Sequence, residues 1–344
     1  MKAAVWTDIN KVEIKTVDTP APAPGEVLIK VKAAGVCATD VHIVTGNFAH
    51  ATAPHILGHE IAGQVAELGT GVTGWSVGDR VIINTIISCG KCEYCKSGRN
   101  EMCPEGKEIG YNPYNGGYAE YLTAPASCLV KLPDNISYKE GAIIESAVCP
   151  AGSILRFGIE MGSTVFIQGA GPAGLAYLQI AKSCGAAKVI ISARGRERLD
   201  YAKHFGADVI IDAQAENVYD RVMEETGGVG ARYSIDAAGT KTSIALAIKA
   251  CANGGDILLY GIPSESDQID FPAIEIVLRH LNLHGCCGNY LAWEPFVKMI
   301  SGGRFNIKDM VTHEFPLENI MDAMDLIRTH NKKLIKSVII MEEE

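Results

Sequence analysis

The chain has 344 residues, a net charge of −9, and hydrophobic and charged fractions of 47% and 21%. That length accommodates two domains with full cores, and the acidic balance argues against a nucleic-acid partner, which would want a basic footprint. No apolar run approaches the roughly 18 residues of a membrane span. The opening MKAAVWTDIN also lacks the apolar region of a signal peptide, so a cytoplasmic protein is expected.

In the first 150 residues, short β-branched runs such as VLIKVKAAG, IAGQVAELG and DRVIINTII alternate with Gly- and Pro-rich turns. They predict an irregular β-rich domain. Cys37, in GVCATDVH, and His59, in LGHE, are residue types that bind zinc well. Taken locally, however, a cysteine on an apolar segment is core more often than ligand.

The eleven cysteines are unevenly spread. Cys89, Cys92, Cys95 and Cys103 fall within the polar loop CGKCEYCKSGRNEMC. In a cytosolic chain such thiols read as metal ligands rather than disulfides. Four thiolates so close together suit one closed, tetrahedral structural Zn²⁺ site. An iron–sulfur cluster uses similar ligands. The ferredoxin run has a shorter last gap, but Pro104 follows Cys103 as a proline does there, so the motif alone leaves that alternative open.

From about residue 155 short apolar strands (STVFIQG, AKVIISA, ADVIIDA, ARYSIDAAG, GGDILLYG) alternate with helix-length segments such as PAGLAYLQIAKSCGA. This alternation predicts a parallel sheet covered by helices on both faces. Between the first strand and helix stands GAGPAG, with Gly169, Gly171 and Gly174 in the dinucleotide-binding pattern. The first glycine permits the tight turn and the second lets the backbone approach a pyrophosphate. The third allows close helix–strand packing.

About 20 residues further on, a carboxylate would grip the ribose hydroxyls of NAD. The chain has Ala193 there, followed by Arg194, Arg196 and Arg198. Alanine leaves room for a 2′-phosphate that a carboxylate would repel, and guanidinium forks suit phosphate oxygens. NADP(H) is therefore expected over NAD(H), with Arg196 the arginine best explained as merely solvated. Beyond residue 275 the texture mixes again and ends in the strand-like KSVIIM and a solvated EEE tail.

GVCATDVH, GHE, the four-cysteine loop and GAGPAG, in this order, resemble the zinc-dependent medium-chain alcohol and polyol dehydrogenases. The similarity spans nearly the whole chain, including YNGGYAEY, and its texture is nearest the sorbitol/threonine dehydrogenase branch. It implies an α/β protein with a GroES-like β-rich catalytic zinc domain (1–153 and 288–344) and a Rossmann doubly wound NADP-binding domain (154–287).

By the same resemblance, Cys37, His59, Glu60 and Glu145 are the metal-binding positions of a catalytic Zn²⁺. Glu60 and Glu145 share the carboxylate role, as ligand or as partner of the zinc's water. Thr39 relays the alcohol proton, with His42 as the outer member of the relay. The implied reaction is hydride transfer between nicotinamide and a small-molecule alcohol or ketone, the zinc acting as Lewis acid. A tetramer, or else a dimer, is implied too.

Several positions depart from the family. Ser146 and Ala147 follow Glu145 where Pro-Leu is common, and Gly152 replaces a histidine. Ile43 stands where a polyol-handling tyrosine is expected, and Gly288-Asn289 where an Arg-Tyr pair grips sugar hydroxyls. These departures predict a roomier, less polar site for a secondary alcohol or ketone, possible bulk included. A polyol, sugar or sugar-phosphate substrate is the alternative.

Overall fold

The computed structural model describes residues 1–48, 51–263, 268–286, 288 and 290–341. The chain divides into two compact units, Met1–Val148 with Asn289–Glu344, and Cys149–Gly288. The division falls inside the helix Glu145–Phe157. Asn289 and the acidic tail, both singled out in the sequence, lie outside the described residues.

The first unit is built on a seven-stranded sheet centred on the long strand Glu26–Val36. Glu60–Leu68 pairs antiparallel along one side of it, with Gly35 opposite Glu60. On the other side Tyr121–Pro125 pairs with its first half and Lys336–Ile340 with its last four residues, Ser337 facing Val36. The C-terminal KSVIIM run is thus a strand beside the residues that lead into Cys37. DRVIINTII is not continuous: Arg80–Ile83 and Ile86–Ile87 are separate strands. Asn84 turns the chain between them by accepting a hydrogen bond from its neighbour's Ile86 N–H at 3.2 Å. Inward β-branched and aliphatic residues, including Val27, Ile29, Ile61, Val65, Val81 and Ile83, close the core beneath the sheet.

The second unit is a six-stranded parallel sheet. Its spatial order is Val209–Asp212, Lys188–Ala193, Thr164–Gln168, Ala231–Asp236, Cys251–Leu259, Asn282–Gly285. In sequence rank this is 3-2-1-4-5-6, the doubly wound dinucleotide-binding order. The first five strands are those expected from their apolar runs. The helix expected after the first strand spans Pro172–Ser183 and buries Leu175, Ala176, Leu178 and Ile180 against the sheet. The fold is the expected α/β one, a GroES-like β unit and a Rossmann-type parallel sheet.

Candidate metal centre and cofactor site

Three elements of the first unit bring together the candidate ligands. Cys37 ends the Glu26–Val36 strand and precedes the short helix Ala38–Val44. His59 immediately precedes the neighbouring strand Glu60–Leu68, which Glu60 opens. Cys37, His59 and Glu60 each offer a ligand atom, and these atoms lie within 4.8 Å of one another. His59 and Glu60 are buried and Cys37 half-buried. A thiol, an imidazole and a carboxylate converging in a buried spot form the donor set of a catalytic zinc site with one position left open.

The Glu60 carboxylate lies across Gly35. A Cβ at residue 35 would stand 2.0 Å from Glu60 Oε2, so only glycine fits. Oε2 is buried without a hydrogen-bond partner among the described residues, whereas Oε1 is gripped by Lys336 Nζ at 2.5 Å. Lys336 also donates to the Val36 carbonyl at 3.1 Å. An orphaned, buried carboxylate oxygen beside a thiol and an imidazole fits a metal ion as its missing partner.

Asp40 is fully buried and accepts hydrogen bonds on Oδ2 from the Tyr118 hydroxyl (2.8 Å) and the Cys37 N–H (3.1 Å). Its Oδ1 lies 3.4 Å from His59 Nδ1. Burial opposes charge on both groups, but their mutual attraction prevails: Asp40 is held below its ordinary value and His59 well above it. The pocket therefore favours positive charge at the imidazole, which a bound metal also supplies. A carboxylate that orients a ligating histidine through its far nitrogen is a familiar outer partner.

Glu145 stands outside the set of atoms within 4.8 Å. Burial first, then the nearby charges of Glu60 and Glu108, push its carboxyl up to about 7 against the pull of His59 and Lys336. Thr39 is half-buried with its hydroxyl 3.6 Å from Cys37 Sγ, and His42, one turn on, is exposed. Ile43 is wholly buried in the core with Val41, Val44 and Leu57. It faces packing rather than open space, so it carries no argument about pocket size.

The four cysteines of the loop also converge. The sulfur of Cys95 lies 3.9 Å from Cys89 and 3.4 Å from Cys92, and Cys92 lies 3.9 Å from Cys103. Zinc–sulfur bonds of about 2.3 Å in a tetrahedron set sulfur–sulfur edges at roughly 3.8 Å, so the spacing fits that ion. Backbone N–H groups of Lys91 and Cys92 lower the Cys89 thiol to about 7, which favours the thiolate a metal needs.

Residues 23–134 match the alcohol dehydrogenase GroES-like domain, and residues 172–302 the zinc-binding dehydrogenase domain. A sorbitol dehydrogenase of Bacillus subtilis is 31% identical over 98% of this chain and 97% of its own. The chain belongs to the zinc-dependent medium-chain alcohol and polyol dehydrogenases. Among solved structures, a zinc-binding dehydrogenase from Sinorhizobium meliloti bound to NADP matches with a TM-score of 0.92 and 28% identity, over 98% of both chains. An alcohol dehydrogenase from Escherichia coli CFT073 complexed with NADH matches with a TM-score of 0.92 and 29% identity, over 99% of both.

In this dehydrogenase the glycine motif lies where a dinucleotide-binding turn must. Gly171 caps the helix Pro172–Ser183, and a Cβ there would meet open space, so the chain leaves this stretch of backbone open to approach. A Cβ on Gly174 would fall 1.8 Å from the Gly169 carbonyl oxygen, so close packing of strand and helix excludes any side chain. Ala193 ends the second strand and is buried. Arg194 is exposed, Arg198 half-buried, and burial lowers the guanidinium pKa of Arg198. Arg196 pairs with Asp200 at 3.0 Å on the exposed helix surface.

Lys336, Asp40, Tyr118 and Tyr111 surround the candidate metal centre and were not singled out from sequence. Asp40 had a local signal, since it lies three residues after Cys37 in a stretch already suspected. Lys336 had none, because only strand pairing brings residue 336 beside residue 36.

Proposed function

We propose that the chain is an NADP(H)-preferring, zinc-dependent alcohol dehydrogenase or ketone reductase acting on secondary alcohols and ketones. The convergence of Cys37, His59 and Glu60 carries the zinc-dependent part of this reading. When bound, zinc supplies a Lewis acid for the substrate oxygen and NADP the hydride acceptor. Cys37, His59 and Glu60 would hold the catalytic ion, and Cys89, Cys92, Cys95 and Cys103 a structural one. Glu145, poised near neutrality, would add a carboxylate beside the first. Thr39 takes the alcohol proton and passes it toward exposed His42 and solvent.

The cofactor preference rests on Ala193, Arg194 and Arg198. A buried alanine leaves space where a carboxylate would repel a 2′-phosphate, and two guanidinium groups follow it. The division into Met1–Val148 with Asn289–Glu344 and Cys149–Gly288 runs close to the expected bounds and supports residues 1–153 with 288–344 as the catalytic domain and 154–287 as the cofactor domain. The four cysteines gathered as a candidate metal site, Cys89, Cys92, Cys95 and Cys103, fit a reducing compartment such as the cytoplasm.

A tetramer, or a dimer, is favoured by the helix Ala273–Leu278, which buries none of its residues. Ile274, Val277 and Leu278 are 76%, 71% and 74% exposed, close in sequence to the sheet's edge strand Asn282–Gly285. Light scattering at low protein concentration tests this.

Initial rates with a bulky secondary alcohol, sorbitol and a sugar phosphate, each with NADP and NAD, test the substrate reading. Faster turnover of the secondary alcohol supports it. Preference for sorbitol or the sugar phosphate would move the assignment to the polyol and sugar dehydrogenases.

A further inference from the structure

We infer that Tyr111 is a positioning residue of the metal centre, its hydroxyl fixing the His59 imidazole so that the ring offers Nε2 to the metal. The inference rests on the zinc reading of Cys37, His59 and Glu60. Tyr111 is buried, and its hydroxyl lies 3.2 Å from His59 Nδ1 with hydrogen-bonding geometry. The two rings also pack, with centroids 5.6 Å apart and planes tilted by 33°.

Asp40 reaches the same nitrogen, but differently. Its Oδ1 comes within 3.4 Å, longer than the Tyr111 contact, while its Oδ2 is committed to Tyr118 and Cys37. Asp40 therefore supplies the negative charge on that side of the ring, and Tyr111 adds a second, shorter contact that fixes the ring's direction. With Nε2 turned to a metal, the ring's single proton would sit on Nδ1, between the Tyr111 oxygen at 3.2 Å and Asp40 Oδ1 at 3.4 Å.

The backbone shows how Tyr111 is held there. Residues 111–114 form a turn closed by Tyr114 N–H donating to the Tyr111 carbonyl at 2.8 Å. The following stretch is strapped to the segment before His59. Gly116, Gly117 and Tyr118 N–H groups donate to Ile56, Gly58 and Leu57 carbonyls at 2.8, 2.8 and 3.1 Å. Close approach is possible because a Cβ on Gly116 would stand 2.2 Å from the Gly58 oxygen, and one on Gly110 3.2 Å from His59 Cβ. The YNPYNGG stretch thus works as a saddle that carries one phenol to one imidazole.

Tyr111→Phe deletes the oxygen and keeps the ring, and Tyr111→Leu deletes both. The test is a competition titration against a zinc chelator, counting zinc per chain. Cys37→Ser identifies which zinc belongs to this site. Loss of an outer partner costs about 10–100-fold in metal affinity, so Tyr111→Phe should weaken the Cys37-dependent zinc by about that factor. The other zinc and the melting temperature of the stripped protein should stay as in wild type, and Tyr111→Leu should be no better. Equal zinc affinity in Tyr111→Phe and wild type would overturn the inference. So would a lower melting temperature of stripped Tyr111→Phe without a change in zinc affinity, which would make Tyr111 a packing residue. If wild type itself holds no Cys37-dependent zinc, the metal-centre reading fails first and takes this one with it.

Discussion

Lys336 Nζ lies 2.5 Å from Glu60 Oε1, with the two side chains 4% and 0% exposed. The ammonium sits on a strand from the chain's C-terminal end and the carboxylate on one from its first third. Burial works against the lysine's charge, but Glu60 and Cys37 hold it charged and raise its pKa. The pair sets one oxygen of Glu60 and leaves the other turned into the candidate metal site.

Removing one partner of a buried pair leaves an uncompensated charge and costs about 3–5 kcal/mol. Lys336→Met should therefore lower the unfolding free energy of the zinc-free protein by about that amount in urea melts. Zinc should offset part of the loss by supplying the missing positive charge. The double change Glu60→Gln with Lys336→Met should restore most of it in the zinc-free protein, because no lone charge remains. An unchanged midpoint for Lys336→Met would contradict this account of the pair.

The arginines after Ala193 give a second prediction. Hydrogen bonds to charged groups contribute about 1.5–3 kcal/mol each, roughly 10–100-fold in affinity. Arg194→Ala combined with Arg198→Ala should raise KM for NADP at least tenfold, with little change for NAD. Arg196→Ala should change neither, since that side chain pairs with Asp200 on the surface. Equal effects of the double change on the two cofactors would remove the 2′-phosphate clamp.

For the four-cysteine loop, Cys103→Ser should release one zinc per chain and lower the melting temperature, leaving the Cys37-dependent zinc in place. Metal analysis decides the ion. Iron and acid-labile sulfide in the wild type would show a cluster instead, the alternative that Pro104 left open.

The second unit offers a pH prediction. Asp256 Oδ1 lies 2.6 Å from His284 Nε2, and its other oxygen is bound by Arg232. Burial alone would raise the carboxyl pKa; hydrogen bonds from His284 and Arg232, and the arginine's charge, outweigh it and lower the value. A carboxyl depressed in the folded state stabilises fully above its unfolded pKa of about 3.9 and loses that contribution as pH falls through the folded one. Wild type should accordingly exceed Asp256→Asn in urea midpoint by a constant margin near neutrality. That margin should shrink below about pH 4. A margin that grows on acidification would show the sign to be wrong.

Much of this was legible along the chain, because much of it is local. The parallel strands announce themselves as short apolar runs, and GAGPAG fixes the cofactor turn within six residues. CGKCEYC places three thiols within one loop. The contributions of Lys336 and Tyr111 were not legible, since each depends on a strand pairing or a strapped turn that sequence distance conceals. Ile43 misled for a related reason. Its neighbours in sequence include candidate site residues, but helical periodicity turns it inward to the core while exposed His42 turns outward. The sixth parallel strand, Asn282–Gly285, is only four residues long and exposes half of them, so it gave no apolar run.

The most direct test of the central claim is the rate of NADPH oxidation with a secondary ketone, measured before zinc removal by chelation, after it, and after zinc is returned. Loss of the rate on stripping and its recovery with zinc in wild type, together with no recovery in Cys37→Ser, is the predicted result. Full activity in the stripped protein would contradict it.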